Sequence, residues 1–320
     1  MKVLANDGLS QPAIDKLTQA GFEVLTTRVA QEQLSNFIIT NQIKALLVRS
    51  ATQVDKKTID AAPSLELIGR AGVGMDNIDV AYARQKGIQV VNTPAASSIS
   101  VAELVFAHLL GAARFLHDAN RNMPLEGDQR FKQLKKDYGK GLELKGKTLG
   151  IIGFGRIGKE VAKIAMGMGM QVLFHDKEVA SDTLDLSFFD GQSVSFELEG
   201  SPLEELLGKS DFISLNVPAT QNYVLGQTEM AQMKKGVGIV NCARGGVLDE
   251  VALVDALENG IVAFAGLDVF ESEPQPEIRI LMHPNISLSP HIGGATIEAQ
   301  ERIGLELAER LIDLLKTPTV

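Results

Sequence analysis

A chain of 320 residues has room for two domains of roughly 150 residues each. With 45% apolar and 22% charged residues, its composition is that of a globular protein, which excludes disorder, collagen-like repeats or coiled coil as the main architecture. A formal charge of −9 and a pI near 5.2 exclude general nucleic-acid binding, which needs clustered Lys and Arg.

The single cysteine, Cys242, rules out an intrachain disulfide and points to a cytoplasmic protein. The opening Met1-Lys2-Val3-Leu4-Ala5-Asn6-Asp7 lacks the apolar run of a signal peptide. No stretch approaches the ~18 apolar residues of a membrane span. Short apolar runs at Lys2–Ala5, Phe22–Leu25, Ala45–Val48, Leu65–Arg70 and Ile88–Asn92 alternate with helical patterns such as Ser10–Ala20 and Ile78–Gln85. Such βα alternation predicts a parallel sheet covered by helices on both faces. Next, Ser100-Val101-Ala102-Glu103 has the form of a capping box. Val101, Leu104, Val105, His108, Leu109 and Ala112 then recur at helical spacing, predicting one long helix to about Asp118. His108 and His117 are expected on its surface or at an interface.

A second βα array starts at Lys147. Strands are predicted at Thr148–Ile152, Gln171–His175, Phe212–Val217, Val237–Cys242, Val262–Leu267 and Ile286–Ser289. Helices are predicted at Lys159–Met168, Glu250–Leu257 and about Ile297–Leu315. The segment Val179–Gly200 is less regular, with Val194–Leu198 alternating like a short strand. Nesting of the second array within the chain predicts a discontinuous first domain, to which the last helix returns.

Gly153-Phe154-Gly155-Arg156-Ile157-Gly158 reads G-x-G-x-x-G, follows an apolar strand and opens a helix. Asp176 stands at the end of the next strand. In that context the motif is a dinucleotide fingerprint. Gly153 permits the tight turn, Gly155 lets the backbone approach a pyrophosphate, and Gly158 lets helix pack on strand. Asp176 would accept from the ribose hydroxyls and repel a 2′-phosphate, which favours NAD over NADP. Gly69-Arg70-Ala71-Gly72-Val73-Gly74 has different spacing, G-x-x-G-x-G. It is a candidate substrate loop.

Three further segments follow predicted strands: Asn241–Gly246, Gly266–Pro274 and Ser289–Ala295. Ligands of open α/β sheets bind beyond the carboxyl ends of the strands, so Arg244, Glu273 and His291 are expected to converge. Reducing a ketone by hydride needs a proton donor, and His suits neutral pH. A carboxylate bonded to the imidazole fixes its tautomer, and Arg can grip the carboxylate of a 2-oxo acid. His175, His283 and Cys242 are expected to be a strand-end, a loop and a packed residue. No His/Cys cluster has zinc spacing, so no metal is expected.

These motifs, with Val48–Thr52, Gly69–Asp79 and Asn92-Thr93-Pro94, resemble the D-isomer-specific 2-hydroxyacid dehydrogenases over nearly the whole chain. Within the family the resemblance is nearest to members that oxidise 3-phosphoglycerate. It implies an NAD-binding Rossmann domain (94–294) inserted into a smaller flavodoxin-like substrate domain (1–93 plus 295–320), both doubly wound. It also implies that Arg244 binds substrate and that Glu273 pairs with His291, the acid/base. Gly153, Gly155, Arg156, Ile157, Gly158, Asp176, Asn216, Pro218, Cys242, Ala243, Asp268, Gly293 and Gly294 would line the cofactor. Arg49, Arg70, Gly72, Val73, Gly74 and Asn92 would line the substrate. Glu273 in place of Gln speaks against the formate dehydrogenase branch.

Three positions depart from the family pattern: Asn216-Val217-Pro218 stands for His-x-Pro, Ala95–Ser98 for Gly-Asn-Ser, and the stretch between Asp176 and Leu203 is long. The extra C-terminal regulatory domains of longer relatives are not expected. Residues 128–147 carry seven basic against three acidic residues, a local charge that would favour a phosphate within the ~8 Å reach of physiological screening. A homodimer is expected, with no nucleic-acid or membrane partner. The alternatives are a glycerate/hydroxypyruvate reductase and, in a different class, a non-catalytic NAD-sensing binding protein.

Overall fold

A computed structural model describes residues 1–316. In chain order the first array holds β1 (Lys2–Ala5), α1 (Gln11–Gln19), β2 (Glu23–Leu25), α2 (Gln31–Asn41), β3 (Ala45–Val48), α3 (Lys56–Asp60), β4 (Leu67–Arg70), α4 (Val80–Gln85) and β5 (Gln89–Asn92). Helices α5 (Ser98–Ala113) and α6 (Leu116–Asp137) follow. The second array holds β6 (Thr148–Ile152), α7 (Arg156–Gly167), β7 (Gln171–His175), β8 (Ser181–Ser187), β9 (Ser193–Glu199), α8 (Leu203–Lys209), β10 (Phe212–Leu215) and α9 (Gln227–Met230). It continues with β11 (Val237–Asn241), α10 (Glu250–Glu258), β12 (Val262–Leu267), α11 (Ile278–Leu281) and β13 (Ile286–Leu288), and α12 (Ile297–Lys316) closes the chain. The chain divides into two units, one of Met1–Ser98 with the segment from Gly294 onward, the other of Ile99–Gly293. Residues 317–320 of the expected 295–320 segment lie outside the described residues.

The first unit is a five-stranded parallel sheet in the order β2-β1-β3-β4-β5, the flavodoxin order. All four residues of β3 are buried, as a sheet covered on both faces requires. Successive side chains alternate between those faces. Leu4, Leu46 and Ile68 join Leu34 and Ile38 of α2 in one cluster. Val3, Leu47 and Leu67 join Leu17 of α1 and Leu307 of α12 in the other.

The second unit has a six-stranded parallel sheet, β13-β12-β11-β10-β6-β7. At its β7 edge Gly200 bridges Phe174, where the Rossmann order places a third strand. The irregular segment 179–200 is an antiparallel hairpin, β8 against β9, with Leu184 opposite Phe196. Its inward face is pinned by buried Leu184, which packs with Val161 and Ala162 of α7, and by a Lys159–Asp182 ion pair. The apolar/polar alternation predicted over Val194–Leu198 extends through both strands, with Leu184 and Leu186 on the same face as Val194, Phe196 and Leu198.

The single helix expected to run to Asp118 is two helices. Phe115 adopts a left-handed φ of 55° and α5 and α6 meet at a 55° bend. The apolar recurrence continues across that break, and no Gly or Pro marks it. No single described helix is long and apolar enough to cross a membrane. Ser100 is no N-cap either: it lies inside α5, buried, and its hydroxyl donates to Gly293 O at 2.6 Å.

At the start of the sheet Asp211 accepts from Thr148 N–H at 2.9 Å and from Lys234 Nζ at 2.6 Å. Partial burial pushes the carboxyl up, but these two donors outweigh it and hold Asp211 below the ordinary carboxylate value. A depressed carboxylate stabilises the fold above its unfolded pKa of ~3.9, and that stability is lost as pH falls through the folded value. Asp211→Asn is therefore expected to lower Tm at pH 7 and to bring the variant towards the parent as the pH approaches 3. A Tm gap that stays constant over that range would contradict this assignment.

Candidate active site

The glycine turn joins β6 to α7. Gly153 sits at φ +92°, and a Cβ there would lie 2.6 Å from Asn216 O. A Cβ on Gly158 would lie 2.1 Å from Gly153 O. Both close approaches are backbone against backbone, so only glycine fits. Gly155 instead faces open space and caps α7. Space there, with the free amides of a helix N-terminus behind it, suits a pyrophosphate. Arg156 is exposed and Ile157 half-buried in the first turn of α7.

Asp176, just past β7, does more than the sequence suggested. Its Oδ2 accepts from Phe154 N–H at 2.6 Å, and Oδ1 from Glu178 and Val179 N–H at 2.8 and 3.1 Å. Burial pushes the carboxyl up, yet the three amides together hold it below the ordinary value. The carboxylate thus stays ionised and ties the glycine turn to the next strand end. Asp176→Asn is expected to raise the NADPH-to-NADH ratio of kcat/KM by about tenfold, the effect of ~1.4 kcal/mol of lost repulsion. The ratio cancels any loss common to both nucleotides. An unchanged ratio would remove Asp176 from nucleotide selection. Asn216 turns its amide back onto Ser214 O and Oγ at 3.2 and 3.1 Å, and Pro218 is exposed.

Beyond β11, Asn241 fixes the next turn. Its Oδ1 accepts from Ala243 N–H at 3.0 Å and its Nδ2 donates to Arg244 O at 2.8 Å. Cys242 and Ala243 are buried. Burial, aided by the charge of Asp268, pushes the Cys242 thiol well up, so it is a packed residue and no nucleophile. Arg244 is half-buried in extended backbone, with Nη1 donating to Ala243 O at 2.7 Å. A Cβ on Gly245 would lie 1.9 Å from Phe270 O, so this turn is packed against the loop after β12.

That loop carries Glu273. Its Oε1 accepts from Phe270 N–H at 2.9 Å, and its Oε2 lies 2.8 Å from His291 Nδ1. The loop is also tied to α10, since Glu250 and Glu271 each accept from the other's backbone N–H, at 2.8 and 3.0 Å. His291 has a left-handed φ of 55°, a conformation His tolerates better than most residues. The next two residues are clamped by Asp268, which is 1% exposed. Its carboxylate accepts from Ile292 and Gly293 N–H, both at 2.8 Å. Phe270, Glu273, Leu281, Leu288 and His291 are among the residues lining a cavity of about 420 Å³. With Nδ1 held by Glu273, Nε2 is the ring nitrogen left to exchange a proton.

In the first unit the named residues end three adjacent strands. Register pairs Val48 with Arg70 and Arg70 with Asn92, and Arg49 follows Val48. A Cβ on Gly72 would lie 1.6 Å from Arg70 Nη1, so this glycine makes room for the guanidinium. Asn92 Nδ2 donates to Val73 O at 2.6 Å and steadies the Gly72–Gly74 loop. Burial pushes the Arg49 guanidinium down, and nearby Asp7 partly offsets this. Arg49 Nε is buried, and no described group accepts from it. Gly294 lies in this unit, beside Ser97. The basic residues Arg130, Lys132, Lys135, Lys136, Lys140 and Lys145 are exposed on α6 and the loop after it, and Lys147 is half-buried.

His108, expected at a surface or interface, is buried at 5% exposure. The signal was its place on the apolar stripe of α5. His175 ends β7, with Nδ1 3.0 Å from Ser201 O. His117 Nε2 lies 3.3 Å from Pro284 O, and His283 is in the loop before β13. Among the described residues no group of three or more His, Cys, Asp or Glu is placed to hold a metal ion.

Comparison with known proteins places this geometry. Residues 106–293 match the D-isomer specific 2-hydroxyacid dehydrogenase, NAD binding domain. Hydroxypyruvate reductase of Thermotoga maritima is 42% identical, over 97% of both chains. D-3-phosphoglycerate dehydrogenase of Methanocaldococcus jannaschii is 41% identical over 99% of this chain, which spans 58% of that protein's length. The structure of D-lactate dehydrogenase from Aquifex aeolicus, complexed with NAD and lactic acid, superposes with a TM-score of 0.74 at 29% identity, covering 99% of this chain and 96% of that one. The chain belongs to the D-isomer specific 2-hydroxyacid dehydrogenases, NAD-dependent enzymes whose cofactor domain it carries in residues 106–293.

Proposed function

We propose that the chain oxidises D-3-phosphoglycerate to 3-phosphohydroxypyruvate with NAD, the first step of serine synthesis, as a cytoplasmic homodimer. On this reading the unit built on β1–β5 and α12 binds the acid and the other unit binds the cofactor. NAD, when bound, supplies the hydride acceptor. His291 Nε2 takes the proton of the C2 hydroxyl and returns it in the reverse direction, while Glu273 keeps the ring turned for that exchange. Arg244 grips the carboxylate through its donor fork. Arg49 and Arg70, with the Gly72–Gly74 amides and Asn92, take the phosphate. The buried, unaccepted Nε of Arg49 is the observation that carries this choice, since a donor removed from water without a partner is costly unless an anion fills its place. The basic residues of segment 128–147 add attraction for the phosphate.

A second reading, hydroxypyruvate reduction, is favoured by the 42% identity to the hydroxypyruvate reductase of Thermotoga maritima. Following NADH absorbance with 3-phosphohydroxypyruvate and hydroxypyruvate separates the two. The phosphorylated ketone is expected to lead in kcat/KM by at least about tenfold, the worth of one charge-assisted hydrogen bond. Arg49→Ala is expected to remove most of that lead. Equal or reversed preference would establish the second reading and return Arg49 to a structural role.

A further inference from the structure

We propose that His108 is a positioning residue for the reaction: through Ser289 and Asp268 it holds the turn that presents His291. The inference rests on the assignment of His291 as the acid/base. It concerns side chains that all lie within the unit of Ile99–Gly293.

A buried imidazole needs partners for both ring nitrogens, and His108 has two. Its Nδ1 lies 2.9 Å from Ser287 Oγ and its Nε2 2.9 Å from Ser289 Oγ. Ser289 Oγ in turn lies 2.6 Å from Asp268 Oδ1. The direction of every bond in this row follows from counting protons. An ionised carboxylate only accepts, so the one hydroxyl proton of Ser289 goes to Asp268. Ser289 Oγ must then accept from His108, which puts the ring proton on Nε2. A neutral ring with its proton there has a lone pair on Nδ1, which accepts from Ser287. Burial favours that neutral ring and pushes the His108 pKa down, against the pull of Asp268 and with the help of His117.

The row is built into the fold on three sides. His108 comes from α5, Ser287 from β13, and Gly266 of β12 makes the space. A Cβ on Gly266 would lie 2.6 Å from His108 Cβ. Ser289 is itself anchored by its N–H to Leu267 O at 2.9 Å.

The far end of the row is what gives it a role in the chemistry. The oxygen of Asp268 that accepts from Ser289 also accepts from Ile292 N–H, and the other accepts from Gly293 N–H. His291 lies between Ser289 and Ile292, and its N–H donates to Ser289 O at 3.1 Å. The left-handed turn is therefore pinned on both sides by one carboxylate, and His108 fixes the hydroxyl that orients that carboxylate. Removing the Nε2–H donor frees the Ser289 hydroxyl to rotate and Asp268 to turn. A small displacement of a proton-transferring group is costly in rate even when binding survives.

Two experiments test this. The first is nitrogen-15 NMR of the imidazoles in the protein without substrate or cofactor, with His108 assigned by loss of its signals in His108→Gln. His108 is expected as the neutral Nε2–H tautomer at pH 7, with a slowly exchanging Nε2 proton. A protonated ring or the Nδ1–H tautomer would overturn the row. The second is steady-state kinetics of His108→Leu, His108→Gln and Ser289→Ala. Leu fills the space without a donor, whereas Gln restores an N–H at the far end of its side chain. His108→Leu and Ser289→Ala are expected to lower kcat about tenfold with KM values within about twofold, and His108→Gln to recover most of the loss. Leu matching the parent, or Gln faring no better than Leu, would reduce His108 to packing. Should His108→Leu fail to fold, Ser289→Ala carries the test, since it deletes one oxygen only. A parent inactive on every 2-oxo acid would defeat the assignment of His291, while an active parent indifferent to these substitutions would defeat this inference alone.

Discussion

Replacing His291 with Gln is expected to lower kcat by roughly 10²–10⁴, the usual contribution of a positioned general acid/base, with the fold intact. Gln keeps an amide that can bond Glu273 but offers no group that exchanges a proton near neutral pH. Its side chain is about half exposed, so little packing is lost. The backbone is the only structural concern, because residue 291 has φ of 55°. His291→Asn answers it, since Asn tolerates the left-handed region. Both variants should melt within a few degrees of the parent and bind NADH normally by fluorescence. If either turns over at near-parental kcat, the acid/base is another group, and the 2.8 Å contact with Glu273 is structural. Glu273 should behave differently: Glu273→Gln leaves His291 in place but weakens the hold on its ring, so a smaller loss of kcat is expected.

The glycine turn and the two sheets were legible because each is a local pattern in the chain, whereas short polar segments after apolar strands pointed to Glu273 and His291 and the family resemblance implied that they pair. Strand–turn–helix periodicity located Gly153–Gly158, and the alternation of apolar runs located the parallel strands. What stayed hidden depended on distant partners. Asp176 reads as a ribose ligand, but its hold on Phe154 N–H depends on how two strand ends pack. The hairpin of residues 181–199 gathers Leu184, Leu186, Val194, Phe196 and Leu198 on one face and Ser, Thr, Asp185 and Glu on the other, a strand alternation predicted only over Val194–Leu198. The break at Phe115 has no Gly or Pro to announce it. His108 illustrates the same limit: its position on the stripe of α5 was visible, yet a polar residue there read as surface. Only two serines 179 and 181 residues away make its burial affordable.

Arg244→Ala is expected to lower kcat/KM by about 1.5–3 kcal/mol, roughly 10–150-fold, the worth of hydrogen bonds to a charged group. The loss should fall on substrate recognition, because the turn keeps other holds when the side chain and its bond to Ala243 O are removed. Asn241 holds Ala243 N–H and Arg244 O through its own amide, and Gly245 packs against Phe270 O. The expected signature is a raised KM for the 2-oxo acid together with a lowered kcat, while NADH affinity is unchanged. Arg244→Lys should recover only part of the activity, since a point charge cannot reproduce the planar fork that matches a carboxylate. A full recovery by Lys would mean that charge alone matters at this position. Unchanged kcat/KM in Arg244→Ala would take Arg244 out of the site, and would leave the acid's carboxylate to be held by backbone amides instead.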